Sequence, residues 1–144
     1  LEGLSANDLR GACPNAVVAH PAGILGGVDH LFTGKVERVD VALLQTLLEH
    51  DIVPVIPPVG IDGTGNSFRL NSDAVAVEVA KALRAVKLVY LTTEGGVRGP
   101  DGVVRQLTVQ EAEAFLKRHK ADLTPETVTK LTHAVRAGKE GVER

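Results

Sequence analysis

Apolar residues recur along this chain in two alternating spacings. Val41, Leu44, Leu47 and Leu48 fall three and four apart with Gln45 and Glu49 opposite, which predicts one buried face of a helix. Asp40 is its N-cap, and it ends near His50 and Asp51. Residues 52–56 then form a short unbroken apolar run, the pattern of a strand covered on both faces, with Pro54 at a bulge. The same pairing repeats. Val75, Val79, Ala82 and Leu83 stripe a helix starting at Ser72 or Asp73, and residues 87–91 follow as a second buried strand. Upstream, residues 1–15 read as loop with a short helix around Ser5 to Leu9. Residues 16–19 read as a strand closed by His20-Pro21, and residues 35–39 alternate like an edge strand. Downstream, Pro100-Asp101-Gly102 is a hairpin signal with Val103-Val104 as the return strand. Thr108-Val109-Gln110-Glu111 is a capping box opening a helix with Ala112, Phe115 and Leu116 inward. Thr124-Pro125 opens a last helix carrying Val128, Leu131 and Val135, with Gly138 as its C-cap. Strands alternating with helices predict an α/β class with a mainly parallel sheet. Residues 52–56 and 87–91 are then expected as parallel neighbours, with the loop 60–71 and the turn 93–96 at one sheet edge.

Between the first buried strand and its helix lies the stretch from Pro57 to Asp73, rich in Gly, Asn, Ser and Asp. A polar glycine-rich loop at the carboxyl end of a strand, running into a helix N-terminus, is where open α/β sheets bind small anionic or phosphorylated ligands. Asp73, in the first turn of that helix, is stabilised by the helix dipole by roughly 0.3–1 kcal/mol, so capping and chemistry explain it equally well. Lys130, on the last helix, suits a mobile phosphate partner or a solvated surface charge. The Gly63-Thr64-Gly65 turn lacks the Gly-Lys-Ser/Thr ending of a P-loop and the full dinucleotide fingerprint.

Composition narrows the field. A formal net charge of −2 gives no electrostatic case for nucleic acid or an acidic membrane surface. No apolar run reaches membrane-spanning length. The five histidines show no ligand spacing, so no metal site is expected. Cys13 is the only cysteine; it can form no internal disulfide, which fits a reducing cytoplasm. The chain opens on Leu1, and its last residues trail off where the alternation would next place a strand, which predicts a segment of a longer protein, incomplete at both ends.

Four blocks together resemble the amino-acid-kinase family, and within it the kinase-like domains of N-acetylglutamate synthases. Gly23-Ile24-Leu25-Gly26-Gly27-Val28-Asp29, followed by Thr33-Gly34-Lys35-Val36-Glu37-Arg38-Val39-Asp40, is similar to the synthase pattern of Gly-Val-Asp, then Thr-Gly-x-Val-x-Arg-x-Asp. Ser67-Phe68-Arg69-Leu70-Asn71-Ser72-Asp73 resembles the family's Asn-x-Asn-Ala-Asp signature. Residues 88–97 resemble its nucleotide-side turn, and residues 124–134 the start of the helix that carries a phosphate-contacting lysine. The resemblance spans nearly the whole chain and implies a three-layer αβα sandwich, with residues 1–144 forming a segment of one kinase-like domain and no acetyltransferase domain.

By the same resemblance, Asp73 matches the aspartate that organises the catalytic lysines, and Lys130 the lysine that meets the transferred phosphate. Arg69, Asn71 and Ser72 fall at substrate-binding positions, and Thr93, Glu94 and Gly95 in the nucleotide-side loop. Arg69 departs from the usual asparagine, and Glu94 stands where kinases tend to have Asp. The implied parent is a cytoplasmic, homo-oligomeric enzyme that acetylates glutamate with acetyl-CoA in arginine biosynthesis, with arginine as an effector read by this domain. The alternative is an acetylglutamate kinase using ATP and Mg. The family's first glycine-rich strand end and its phosphate-binding lysine would lie before Leu1.

Overall fold

The computed structural model describes residues 1–99 and 102–143. The chain divides into two compact units, Leu1–Leu83 and Arg84–Arg144.

In the first unit, α1 (Glu2–Ser5) leads into β1 (Arg10–Ala12), where a loop was expected. β2 (Val17–Pro21), the small hairpin of β3 (Ile24–Leu25) and β4 (Val28–Asp29), and β5 (Gly34–Val39) follow. Then come α2 (Val41–Glu49), β6 (Ile52–Pro54), β7 (Val59–Ile61), β8 (Ser67–Arg69) and α3 (Ser72–Ala82). Four strands form one sheet in the order β5-β2-β7-β8, so β5 lies at an edge as its alternation predicts. β2 runs parallel to β7 and antiparallel to β5, while β7 and β8 are antiparallel. β1 and β6 pair separately and in parallel. The α/β class stands, but the ladders are mixed rather than mainly parallel.

The core of this unit gathers Val17, Ala19, Phe68, Leu70 and Val75, with Val36, Ile56 and Val79 packed against them. Strand alternation supplies it directly: Phe68 is buried while its neighbours Ser67 and Arg69 face outward. Two glycines let backbones approach. A Cβ on Gly60 would lie 2.5 Å from the Cβ of Ala19, and one on Gly34 would lie 2.6 Å from the Cβ of Phe68. Asp40 caps α2 as expected, accepting from the Leu43 N–H at 3.0 Å. Leu44 is fully buried on that helix, whereas Leu48, expected inward, is exposed.

The second unit contains β9 (Arg98–Gly99), β10 (Gly102–Val103), α4 (Val109–His119) and α5 (Pro125–Lys139). β9 and β10 form the expected antiparallel hairpin, although Pro100 and Asp101 of its turn lie outside the described residues. The capping box of α4 is complete: the Thr108 N–H donates to Glu111 at 2.7 Å and the Glu111 N–H to the Thr108 hydroxyl at 3.2 Å. Lys139 of α5 pairs with Glu113 of α4 at 2.9 Å.

Three sequence expectations are corrected here. Residues 87–91 form no strand; they carry no ladder among the described residues, and Val89 and Leu91 stand exposed. An apolar run supplies only the tendency, and a strand exists only beside a partner's N–H and C=O groups. The run 52–56 shortens to β6, with Val53 and Val55 partly exposed, because among the described residues β1 is its one paired neighbour. Gly138 is not a C-cap. α5 runs through it, and its missing side chain admits Val109, whose Cγ2 would meet a Cβ there at 2.6 Å. Gly141, at φ +102, follows the C-cap Glu140.

Candidate functional site

The glycine-rich stretch is not one loop. β7 and β8 make it a hairpin whose turn is Asp62 to Asn66, with Asn71 to Asp73 at the far end of β8. Three residues of strand, at roughly 3.4 Å each, separate the two. The turn consumes its own polar groups. Asp62 Oδ1 accepts from the Thr64 N–H, the Thr64 hydroxyl and the Asn66 N–H at 2.8–2.9 Å, and Oδ2 accepts from the Asn66 amide at 2.9 Å. The Asn66 and Thr64 hydrogen bonds hold the Asp62 carboxyl far below the usual carboxylate range. Asp-Gly between two alternating segments is a hairpin signal, and β7 and β8 form that hairpin.

At the β8–α3 junction the four expected residues stand in sequence. Arg69 is exposed at the end of β8, its N–H donating to the Phe32 carbonyl at 2.7 Å. Asn71 is the N-cap of α3, its side-chain oxygen accepting from the Ala74 N–H at 2.9 Å. Ser72 is exposed in the first position of α3, and Asp73 is the buried charged residue of this unit. The structure therefore brings Arg69, Asn71, Ser72 and Asp73 to one helix start. That end offers an anion free N–H groups and one outward guanidinium.

Glu94 and Lys130 belong to the second unit. Thr92, Thr93, Glu94 and Gly95 form an exposed turn, within which the Glu94 N–H donates to the Thr92 hydroxyl at 3.0 Å. The Glu94 side chain reaches the N-terminus of α5. The Thr127 hydroxyl donates to one carboxylate oxygen at 2.7 Å and the Thr124 hydroxyl to the other at 2.8 Å. These two bonds, Thr127 first, hold its carboxyl below the usual range, and the charge of Arg98 adds to them. Thr124 also caps the helix, accepting from the Thr127 N–H at 3.2 Å. Lys130 pairs with Glu126 one turn earlier at 3.7 Å and lies 5.9 Å from the centre of the Tyr90 ring. Glu94, Thr127, Lys130, Tyr90 and Thr92 line a cavity of about 230 Å³.

Sequence reasoning missed Tyr90, Thr124 and Thr127 as members of this cluster. The resemblance places residues 88–97 and 124–134 at the nucleotide side without singling out these three side chains. Among the described residues no three His, Cys, Asp or Glu side chains gather as a metal site, and no helix is long and apolar enough to cross a membrane.

The start of α5 is already rich in negative charge. The Glu94 carboxylate accepts from both hydroxyls there, and Glu126 adds a second carboxylate in the first turn.

The sequence pattern of the amino acid kinase family matches residues 4–144. The chain belongs to that family. It is 34% identical over its whole length to an amino-acid acetyltransferase of Shigella flexneri, of which it spans 32%. It is 37% identical over 119 residues to an acetylglutamate kinase of Caulobacter vibrioides, a match covering 81% of this chain and 38% of the kinase. Among solved structures, the N-acetylglutamate synthase from Neisseria gonorrhoeae complexed with coenzyme A and N-acetyl-glutamate matches with a TM-score of 0.88 at 31% identity. That match covers 98% of this chain and 32% of the synthase chain. The same synthase complexed with coenzyme A and L-arginine matches at 0.85, with 32% identity over 93% of this chain and 31% of that one. The chain thus spans about a third of the length of the acetyltransferases it matches.

Proposed function

We propose that this chain is a segment of the kinase-like domain of an N-acetylglutamate synthase. The whole polypeptide would transfer acetyl from acetyl-CoA to glutamate, and this segment would serve assembly and control rather than chemistry. The observation that carries the reading is the match to the Neisseria synthase over 98% of this chain at 31% identity. The full-length match to the Shigella acetyltransferase agrees with it. In this reading acetyl-CoA binds outside these 144 residues, arginine acts as effector of the assembled homo-oligomer, and the protein works in the cytoplasm.

The helix start at Asn71 holds Arg69 and Ser72 outward, where they would engage a carboxylate of an acidic amino acid or its acyl derivative. Asp73, buried in the first turn of α3, would fix the helix start rather than enter a reaction.

A second reading, acetylglutamate kinase, is favoured by the Caulobacter relative and by the presence of Asp73 and Lys130. It would need ATP and Mg beside Lys130, where Glu94 and Glu126 already stand. The two readings separate in paired assays: glutamate with acetyl-CoA, then acetylglutamate with ATP and Mg. Acetyl transfer by the whole polypeptide supports the first reading, and phosphate transfer supports the second.

A further inference from the structure

We propose that Glu94 is a built-in anion that occupies the N-terminal end of α5 and excludes nucleotide phosphate from the second unit. The proposal rests on the synthase reading and deepens it, by naming the residue that keeps this kinase-like unit from taking up a phosphate donor.

A helix N-terminus attracts negative charge through its free N–H groups and its dipole. At α5 that demand is already met. Pro125 at the first helical position contributes no N–H, and Glu126 in the first turn adds a negative charge. The Glu94 carboxylate then takes both neighbouring hydroxyls, one on each oxygen, at 2.7 and 2.8 Å. A hydroxyl has one proton to give, so neither Thr124 nor Thr127 has a second for an incoming phosphate oxygen.

The cations nearby are committed as well. Lys130 is paired with Glu126 and lies over the Tyr90 ring, and the charge of Arg98 acts on Glu94. Among the described residues, each of these two cations therefore already faces a carboxylate.

The test is a calorimetric titration of the protein with sodium tripolyphosphate, and separately with ATP and Mg. It compares the unaltered protein with Glu94→Gln, Glu94→Ala and Thr127→Val. Glu94→Gln keeps the size and one acceptor oxygen while removing the charge, so it reports even where Glu94→Ala unfolds. The unaltered protein and Thr127→Val, which keep the carboxylate, are expected to show no saturable binding at millimolar ligand. Glu94→Gln is expected to bind tripolyphosphate at least about tenfold more tightly. Equal binding by the unaltered protein and Glu94→Gln, or no binding by a Glu94→Gln variant whose circular dichroism is native, overturns the proposal. Acetyl transfer by the whole polypeptide is scored separately. Its absence contradicts the synthase reading, while the titration still decides the role of Glu94.

Discussion

The Thr127 hydroxyl donates to Glu94 Oε2 at 2.7 Å across 33 positions of sequence, tying the turn after residue 91 to the first turn of α5. The bond gives an exposed polar turn a fixed partner inside its own unit. Thr127→Val and Glu94→Ala are each expected to lower the thermal midpoint. The double variant should lose less than the sum, because both changes remove one interaction. Circular dichroism melts of the four proteins measure this, and strict additivity contradicts the coupling.

Gly138→Ala should destabilise although alanine is the better helix former. The new Cβ would lie 2.6 Å from Val109 Cγ2, and overpacking costs ~1–3 kcal/mol against a propensity gain of ~1 kcal/mol. Val109→Ala should reverse the sign: the Gly138→Ala change then stabilises. Urea denaturation of the four proteins decides it.

Gly60→Ala should be more damaging. Its Cβ would meet the Cβ of Ala19 at 2.5 Å and the Val17 carbonyl at 3.3 Å, neither of which can swing aside. A loss of about 2–3 kcal/mol is expected, read as a lower urea midpoint. An unchanged midpoint contradicts the close β2–β7 approach.

Asn71→Ala should cost ~0.5–2 kcal/mol through the lost cap, and Asn71→Asp should restore most of it. A variant that loses ligand binding without losing stability would instead make Asn71 a ligand contact.

Stability should fall on acidification. Glu111 is held below its ordinary 4.5 by the Thr108 N–H and hydroxyl, and Glu113 below the same value chiefly by Lys139. A depressed folded pKa contributes stability that is present above the unfolded value and is lost as pH falls through the folded one. The melting temperature should therefore drop below about pH 4.5, and Glu111→Gln should flatten that drop.

The legible parts of the fold are those set by a few neighbouring residues. Asp40, Thr108 and Thr124 cap their helices because a side-chain oxygen three positions before a free N–H needs nothing else. Long-range partners were not legible. β1 forms at Arg10–Ala12 only because β6 lies beside it, and residues 87–91 carry strand composition without a ladder. At the candidate site, Arg69, Asn71, Ser72 and Asp73 could be placed together because they are consecutive. The partnership of Glu94 with Thr124 and Thr127 depends on chain folding over 30 residues and left no local spacing to read.

We propose that these residues are the non-catalytic, kinase-like part of an acetyl-transferring enzyme. The most direct measurement supplies the whole polypeptide and the 144-residue chain, separately, with glutamate and acetyl-CoA and then with acetylglutamate, ATP and Mg. Acetylglutamate is expected from the whole polypeptide, with no acetyl transfer by the 144-residue chain and no phosphate transfer by either. Phosphorylation of acetylglutamate, or acetyl transfer by the 144-residue chain alone, would contradict it.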